Sequence, residues 1–200
     1  MNPTQKQQII VSGVGGQGVL FVTRLLAEAS IARGLPVLTS ETHGMAQRGG
    51  TVVSHLKVGG FSSPLIRPQQ ANGLLALKAE NIAQFGGYLR PGAWIVANRA
   101  AAGAPAEARS ATFCVDADGL SQQIDQPRSG NLIVLGFALA ILPQISADPD
   151  GGFCTFADIK ALLDVKLKNN PARLAASLQA LEAGYRYRPP AGHEPGSQTV

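Results

Sequence analysis

Apolar residues fall into short unbroken runs through the first half of the chain and take helical spacing in the last third. Ile9-Ile10-Val11-Ser12 is rich in β-branched residues and stops at Gly13, which predicts a buried first strand. The turn Gly13-Val14-Gly15-Gly16-Gln17-Gly18 leads into Val19–Ala32, where Val22, Leu25, Leu26 and Ala29 share a helical face. Gly34 suits the residue just past that helix, and Pro36 prevents its continuation. Val37–Ser40 predicts a second strand and completes a strand–glycine turn–helix–strand unit of Rossmann-like type.

Further strands are predicted at Thr51–Val58, Gly73–Leu77, Trp94–Ala97 (after a turn at Pro91-Gly92) and Thr112–Val115, with a helix over Glu80–Leu89. Ala100–Arg109, rich in Ala, Gly and Pro, predicts a surface loop. Asn131–Leu142 is apolar almost all round, as a buried helix is, and Pro143 is expected to end it. Thr155-Phe156-Ala157-Asp158 has the form of a capping box opening a helix to about Lys166. Asn170-Pro171 starts a last helix with Leu174, Leu178, Leu181 and Tyr185 on one face. The fold class is α/β: a Rossmann-like three-layer domain with a mostly parallel sheet and a helical C-terminal third. One domain over 1–188 is expected, then a disordered tail over 189–200, where Pro, Gly, Ser and His dominate.

Composition narrows the function. Charged residues make up 15% of the chain, against about a quarter in ordinary globular proteins. So uncharged a chain suits a subunit that covers part of its surface with a partner. The net charge of +4 is scattered and lacks interleaved aromatics, which argues against nucleic acid but leaves a small anionic ligand open. Cys114 and Cys154 are far apart and form no C-x-x-C, so no iron–sulfur or zinc cassette is expected. Met1–Gln8 lacks the apolar core of a signal peptide, and Leu132–Leu142 is too short to cross a bilayer. A soluble, cytoplasmic chain with no membrane contact and reduced thiols is expected.

Two segments carry candidate chemistry. Gly13, Gly15 and Gly18 satisfy G-x-G-x-x-G between strand and helix, and Gly16 and Gln17 lie within the same turn. Glycines permit a tight turn and close ligand approach, while the helix N-terminus offers free N–H groups to an anion. A strand-to-helix turn without a nucleotide fits the same residues. The second segment is Glu41-Thr42-His43-Gly44-Met45-Ala46-Gln47-Arg48-Gly49-Gly50. Glu41 stands roughly where a ribose-binding carboxylate would be, although the residues after it do not resemble a dinucleotide site. Arg48 offers a planar fork and Gly49 and Gly50 offer backbone donors, with Gln47 and His43 beside them. His43 alone fits a structural histidine equally well. Both segments follow strands, which predicts one shared anion pocket beyond the strands' carboxyl ends.

Asn98, at the end of a predicted strand, is either a site residue or the start of a turn. Asn131 is either a site residue or the N-cap of the buried helix. Ala117-Asp118-Gly119 with Asn169-Asn170 matches the thiamine-diphosphate signature only in part, since the first glycine is missing and the spacing is too long. Asp118-Gly119 is more simply a turn, and no thiamine diphosphate is expected on this chain alone.

Gly13–Gly18, Glu41–Gly50 and Val52-Val53-Ser54-His55 together resemble the gamma-type domain of 2-oxoacid:ferredoxin oxidoreductases, and the His43–Gly50 stretch looks most like the indolepyruvate ferredoxin oxidoreductase beta subunit. Later echoes are Leu89-Arg90-Pro91-Gly92, Val96-Ala97-Asn98, Asn131–Gly136 and Leu181-Glu182-Ala183-Gly184. Arg99–Arg109 and Leu77–Glu80 depart from the family pattern, which bears on substrate more than on family. The resemblance implies a subunit of an enzyme that turns an aryl 2-oxoacid, coenzyme A and oxidised ferredoxin into acyl-CoA, carbon dioxide and reduced ferredoxin. It implies a large partner carrying thiamine diphosphate, magnesium and 4Fe-4S clusters, and ferredoxin reached through the complex. A homodimer contact is compatible with it. Coenzyme A is the substrate that the two subunits would share, and the isolated chain is expected to be inactive. The alternatives are a stand-alone Rossmann-like nucleotide- or anion-binding module and a purely structural subunit.

Overall fold

The computed structural model describes residues 6–43, 50–98, 111–145 and 152–188. Strands and helices alternate through its first part: β1 (Gln7–Val14), α1 (Val19–Ala32), β2 (Val37–His43), β3 (Thr51–Val58), β4 (Ala71–Ala76), α2 (Asn81–Phe85), β5 (Leu89–Asn98) and β6 (Ala111–Val115). The remaining helices are α3 (Ala117–Gln123), α4 (Gly130–Ile145), α5 (Phe156–Leu167) and α6 (Pro171–Arg186). The strands form one mixed sheet of order β2-β3-β1-β4-β5-β6.

The β1/β4, β4/β5 and β5/β6 pairs are parallel, while β3 runs antiparallel to both β1 and β2. The sheet is thus mostly parallel, as expected, but β1 and β2 do not touch. A Rossmann-like unit would pair them directly. Here the connection 44–50 is too short for a parallel crossover, which takes a dozen or more residues, so β3 returns antiparallel and occupies the slot beside β1.

The two faces of the sheet are covered unequally. Ile9, Val11, Leu56 and Val58 bury against α1, α4, α5 and α6, forming the larger core. Ile10, Leu74, Ala76 and Ile95 pack with Ile82 and Phe85 of α2 and with Ile66, forming a smaller one. Within the larger layer α4 and α6 cross at glycines. A Cβ on Gly136 would overlap the Leu181 carbonyl oxygen, and one on Gly184 would overlap that of Ile133. Only hydrogen fits at either position.

Four local expectations need correction. The helix expected to reach Leu89 ends at Phe85, because Gly86-Gly87 turns the chain through a 3₁₀ turn and β5 already starts at Leu89. Pro91 and Gly92 lie inside β5, where the pairing with β4 shifts register between Ala71 and Gly73. Pro143 does not end α4. It falls in the last turn, where it removes one backbone donor, and the Gln144 side chain donates to the Ala140 carbonyl at 2.8 Å. Asp118-Gly119 is not a simple turn but the start of α3, capped by Asp116, whose Oδ1 accepts from the Gly119 amide at 2.9 Å. The Thr155/Asp158 capping box and the Asn170 cap form as the sequence predicts.

Candidate functional site

β1 ends in a turn that its own residues close. The Gln17 amide donates to the Val14 carbonyl at 3.0 Å, and the Gln17 side-chain oxygen accepts from the Val14 amide at 2.8 Å. Gly13 lies directly beneath, where a Cβ would meet Gln17 Oε1 at 2.8 Å and Val19 Cγ2 at 2.9 Å. Gly16 and Gly18 take φ of 95° and 79°, the left-handed region that other residues enter only with strain. Gly18 caps α1 without a side chain, and its carbonyl accepts from Val22 at 3.1 Å. A helix start leaves its first amides without intrahelical partners. Among the described residues, none of the amides of Gly16, Gly18 and Val19 has a backbone acceptor.

Three strand ends meet here. Val14 of β1 pairs with Thr51 at the start of β3, and Val52 pairs with His43 at the end of β2. The Gly15 amide donates to the Gly50 carbonyl at 2.9 Å, fastening the end of the second sequence segment to the glycine turn. α4 supplies Asn131, whose side-chain nitrogen lies so close to Gly18 that no Cβ would fit between them. Asn131 is not an N-cap: it lies inside the first turn of α4, and its Oδ1 accepts from the Leu132 amide at 2.9 Å.

Gly13, Gly15, Gly16, Gln17, Gly18, Gly50 and Asn131 therefore gather around one turn. Glu41 sits on β2 opposite Ser54, with β3 between it and β1. Asn98 ends β5, two strands from β1, and is buried. Its Oδ1 accepts from the Ala117 amide at 3.0 Å and its Nδ2 donates to Asp118 at 3.1 Å, so this side chain fixes the start of α3. Gln47, Arg48, Gly49 and the His43 side chain lie outside the described residues.

Sequence reasoning passed over several polar groups. The hydroxyls of Ser12, next to Gly13, and Ser54 are buried without a hydrogen-bond partner among the described residues. A lone serine in a β-branched run gives little signal. His55 is buried under Tyr88, and its Nδ1 accepts from the Ile66 amide at 3.2 Å. Burial, with Lys57 adding repulsion, lowers its pKa, so a neutral imidazole is favoured there. Burial pushes the Cys154 thiol far above its ordinary range, Asp158 pushes the same way, and Arg33 opposes weakly. Among the described residues no three His, Cys, Asp or Glu side chains come close enough to hold a metal, and no helix is long and apolar enough to cross a membrane.

The chain belongs to the pyruvate ferredoxin/flavodoxin oxidoreductase family, whose model matches residues 8–187. It is 40% identical over 90 residues to the indolepyruvate oxidoreductase subunit IorB of Archaeoglobus fulgidus, covering 45% of each chain. The corresponding subunit of Methanothermobacter thermautotrophicus is 39% identical over 70 residues, 35% of this chain and 36% of that one. The matches thus span less than half the length of these curated relatives. Among solved structures, the pyruvate oxidoreductase subunit PORC of Thermotoga maritima superposes with a TM-score of 0.72 at 17% identity, over 91% of this chain and 96% of that one. The 2-oxoglutarate:ferredoxin oxidoreductase of Magnetococcus marinus, with 2-oxoglutarate, coenzyme A and succinyl-CoA bound, gives 0.70 at 22% identity, over 90% of this chain and 30% of that one. At these identities the structural likeness establishes the fold.

Proposed function

We propose that this chain is the small subunit of a thiamine-dependent 2-oxoacid:ferredoxin oxidoreductase of the indolepyruvate or aryl-pyruvate type. The family match over residues 8–187 carries the proposal, and the likeness to IorB supports the aryl branch. Iron–sulfur chemistry does not fit the described residues, since Cys154 is buried as a neutral thiol and no ligand cluster forms around either cysteine. Thiamine diphosphate, magnesium and 4Fe-4S clusters are accordingly assigned to a large partner subunit, which ferredoxin would meet in the complex. Those groups supply decarboxylation and one-electron transfer.

This chain's share is to complete the pocket and to bury interface. The glycine turn offers amides at a helix start, and the bond from Gly15 to Gly50 holds Gly50, the last residue of the Gln47–Gly50 motif, at its rim. Phosphate suits such a turn, and coenzyme A is the phosphate-bearing substrate of the proposed reaction. Arg48 would add a fixed charge.

Co-expression with a thiamine-dependent, cluster-carrying large subunit tests the assignment. A tagged small chain should retain that subunit through gel filtration, and the complex should reduce a viologen dye only with an aryl 2-oxoacid and coenzyme A. Clean separation of the two chains at micromolar concentration would overturn it, as would viologen reduction by the isolated small chain. In the assembled enzyme, Arg48→Ala should raise the Michaelis constant for coenzyme A by roughly tenfold or more, the worth of one charge-assisted hydrogen bond. A rise for the oxoacid alone would move Arg48 to the substrate carboxylate instead.

A further inference from the structure

The opposite end of β1, six residues or about 20 Å from the glycine turn, borders a separate cavity. Its volume is about 440 Å³, and its walls include Lys57, Phe61, Ser62, Ser63, Arg67 and Gln70. Lys57 lies on β3 opposite Gln8, with only 7% of its surface exposed. Its ammonium sits 5.0 Å from the centre of the Phe61 ring, and that of Lys6 reaches the same ring at 5.4 Å. Three cations therefore meet around one aromatic ring and one hollow.

Among the described residues no negative charge answers them. The cavity wall contains no carboxylate, and Lys6, Lys57 and Arg67 form no ion pair with any described residue. Like charges held close together without an anion repel one another, and an aromatic face offsets only part of that repulsion. Burial, with repulsion from Arg67, already lowers the Lys57 pKa. The arrangement is stabilised by whatever brings an anion into the hollow. Charge donors come from β3 and from the turn at Arg67, and hydroxyl donors from Ser62 and Ser63, so four donor side chains line the space. A tetrahedral anion with several oxygens can engage that many donors more fully than a planar carboxylate does. The volume falls within the range of small-molecule sites.

We propose that the Lys57–Phe61–Arg67 cavity is a binding site for the phosphoryl group of a small molecule, distinct from the glycine turn.

Thermal unfolding of the 200-residue chain, at ionic strength held constant with chloride, tests this with inorganic phosphate and acetate as probes. Phosphate should raise the unfolding temperature of the wild-type chain in a saturable way, and acetate should not. Lys57→Met should unfold at the wild-type temperature or above it without phosphate, having lost one of three mutually repelling charges, and its response to phosphate should fall sharply. Arg67→Gln should weaken phosphate binding about tenfold or more, the loss of one charge-assisted contact. An undiminished phosphate response in Lys57→Met would overturn the site, and so would no saturable response in the wild type. Acetate matching phosphate would make it a carboxylate site and overturn the phosphoryl assignment. Should Lys57→Met fail to fold, an unchanged phosphate affinity in Arg67→Gln decides against the proposal.

Discussion

The crossing of α4 and α6 gives the sharpest stability prediction, through Gly136→Ala and Gly184→Ala. At Gly136 the added methyl would overlap the Leu181 oxygen and lie 3.0 Å from both the Leu181 carbonyl carbon and the Tyr185 nitrogen. At Gly184 it would overlap the Ile133 oxygen and lie 2.7 Å from its carbonyl carbon. Every obstructing atom is backbone, so no side chain can swing aside and the helices themselves must separate. Parting them loosens the packing around Ile133, Phe137, Ala180 and Leu181, all buried. Overpacking with backbone shifts costs about 1–3 kcal/mol, and a backbone-on-backbone overlap belongs at the upper end, about 3 kcal/mol. Replacing a helical glycine by alanine returns about 1 kcal/mol. The net loss of about 2 kcal/mol corresponds to a fall of roughly 4–8 °C in Tm for a domain of this size. Circular dichroism at 222 nm during heating measures it, with Gly87→Ala as the control because nothing lies within 4 Å of its added Cβ. The double variant should lose less than the sum of the singles, since one separation relieves both overlaps. Should either single variant melt with the control, the close crossing is refuted.

Other expectations concern caps, acid stability and thiols. Thr155→Ala removes the hydroxyl that accepts from the Asp158 amide and donates to its carboxylate, and should cost about 1 kcal/mol in urea unfolding. Burial alone would raise the Asp158 pKa, but two Thr155 hydrogen bonds and Arg33 outweigh it and hold the carboxyl below its ordinary value. That contribution is present above the unfolded value of about 3.9 and is lost as pH falls through the folded one, so Asp158→Asn should flatten the acid limb of a stability profile below about pH 4. Asn98→Ala strands the Ala117 amide and should cost about 1–3 kcal/mol by the same denaturation. With its thiol buried and its pKa raised, Cys154 should resist alkylation in the folded chain at about pH 8 and react on unfolding; equal rates in both states, read by mass spectrometry, would contradict this.

Much of the fold was legible because burial on both faces makes strands read as unbroken apolar runs, as at Ile9–Val11 and Leu74–Leu75. The glycines of the two late family echoes, Gly136 and Gly184, prove to be the pair on which α4 and α6 cross. Strand direction was harder to read. An unbroken run carries no arrow, although the length of 44–50 already forbids a parallel return and could have placed β3 beside β1. Helix α3 was hidden by Asp118-Gly119, which has turn chemistry but takes its hydrogen bonds from Asp116 and Asn98.

The site divides along the same line between local and topological information. G-x-G-x-x-G is a local pattern, and its last glycine, Gly18, takes a positive φ, as does Gly16 between the motif positions. Gln17 looks like a ligand group in sequence, yet its oxygen closes its own turn. Asn98 and Asn131 look alike, each a polar residue at the edge of an apolar run. Topology separates them: α4 begins beside the start of α1, so Asn131 reaches Gly18, whereas β5 ends two strands from β1 and Asn98 serves α3. Lys57 is the extreme case. Alternation along β3 puts it on the face away from α1, where a one-layered sheet would leave it in water. The second, smaller layer brings the 59–70 segment over that face, and an ordinary lysine becomes a nearly buried cation beside Arg67. No pattern within β3 encodes that change, because its cause is the return of a later segment across the sheet.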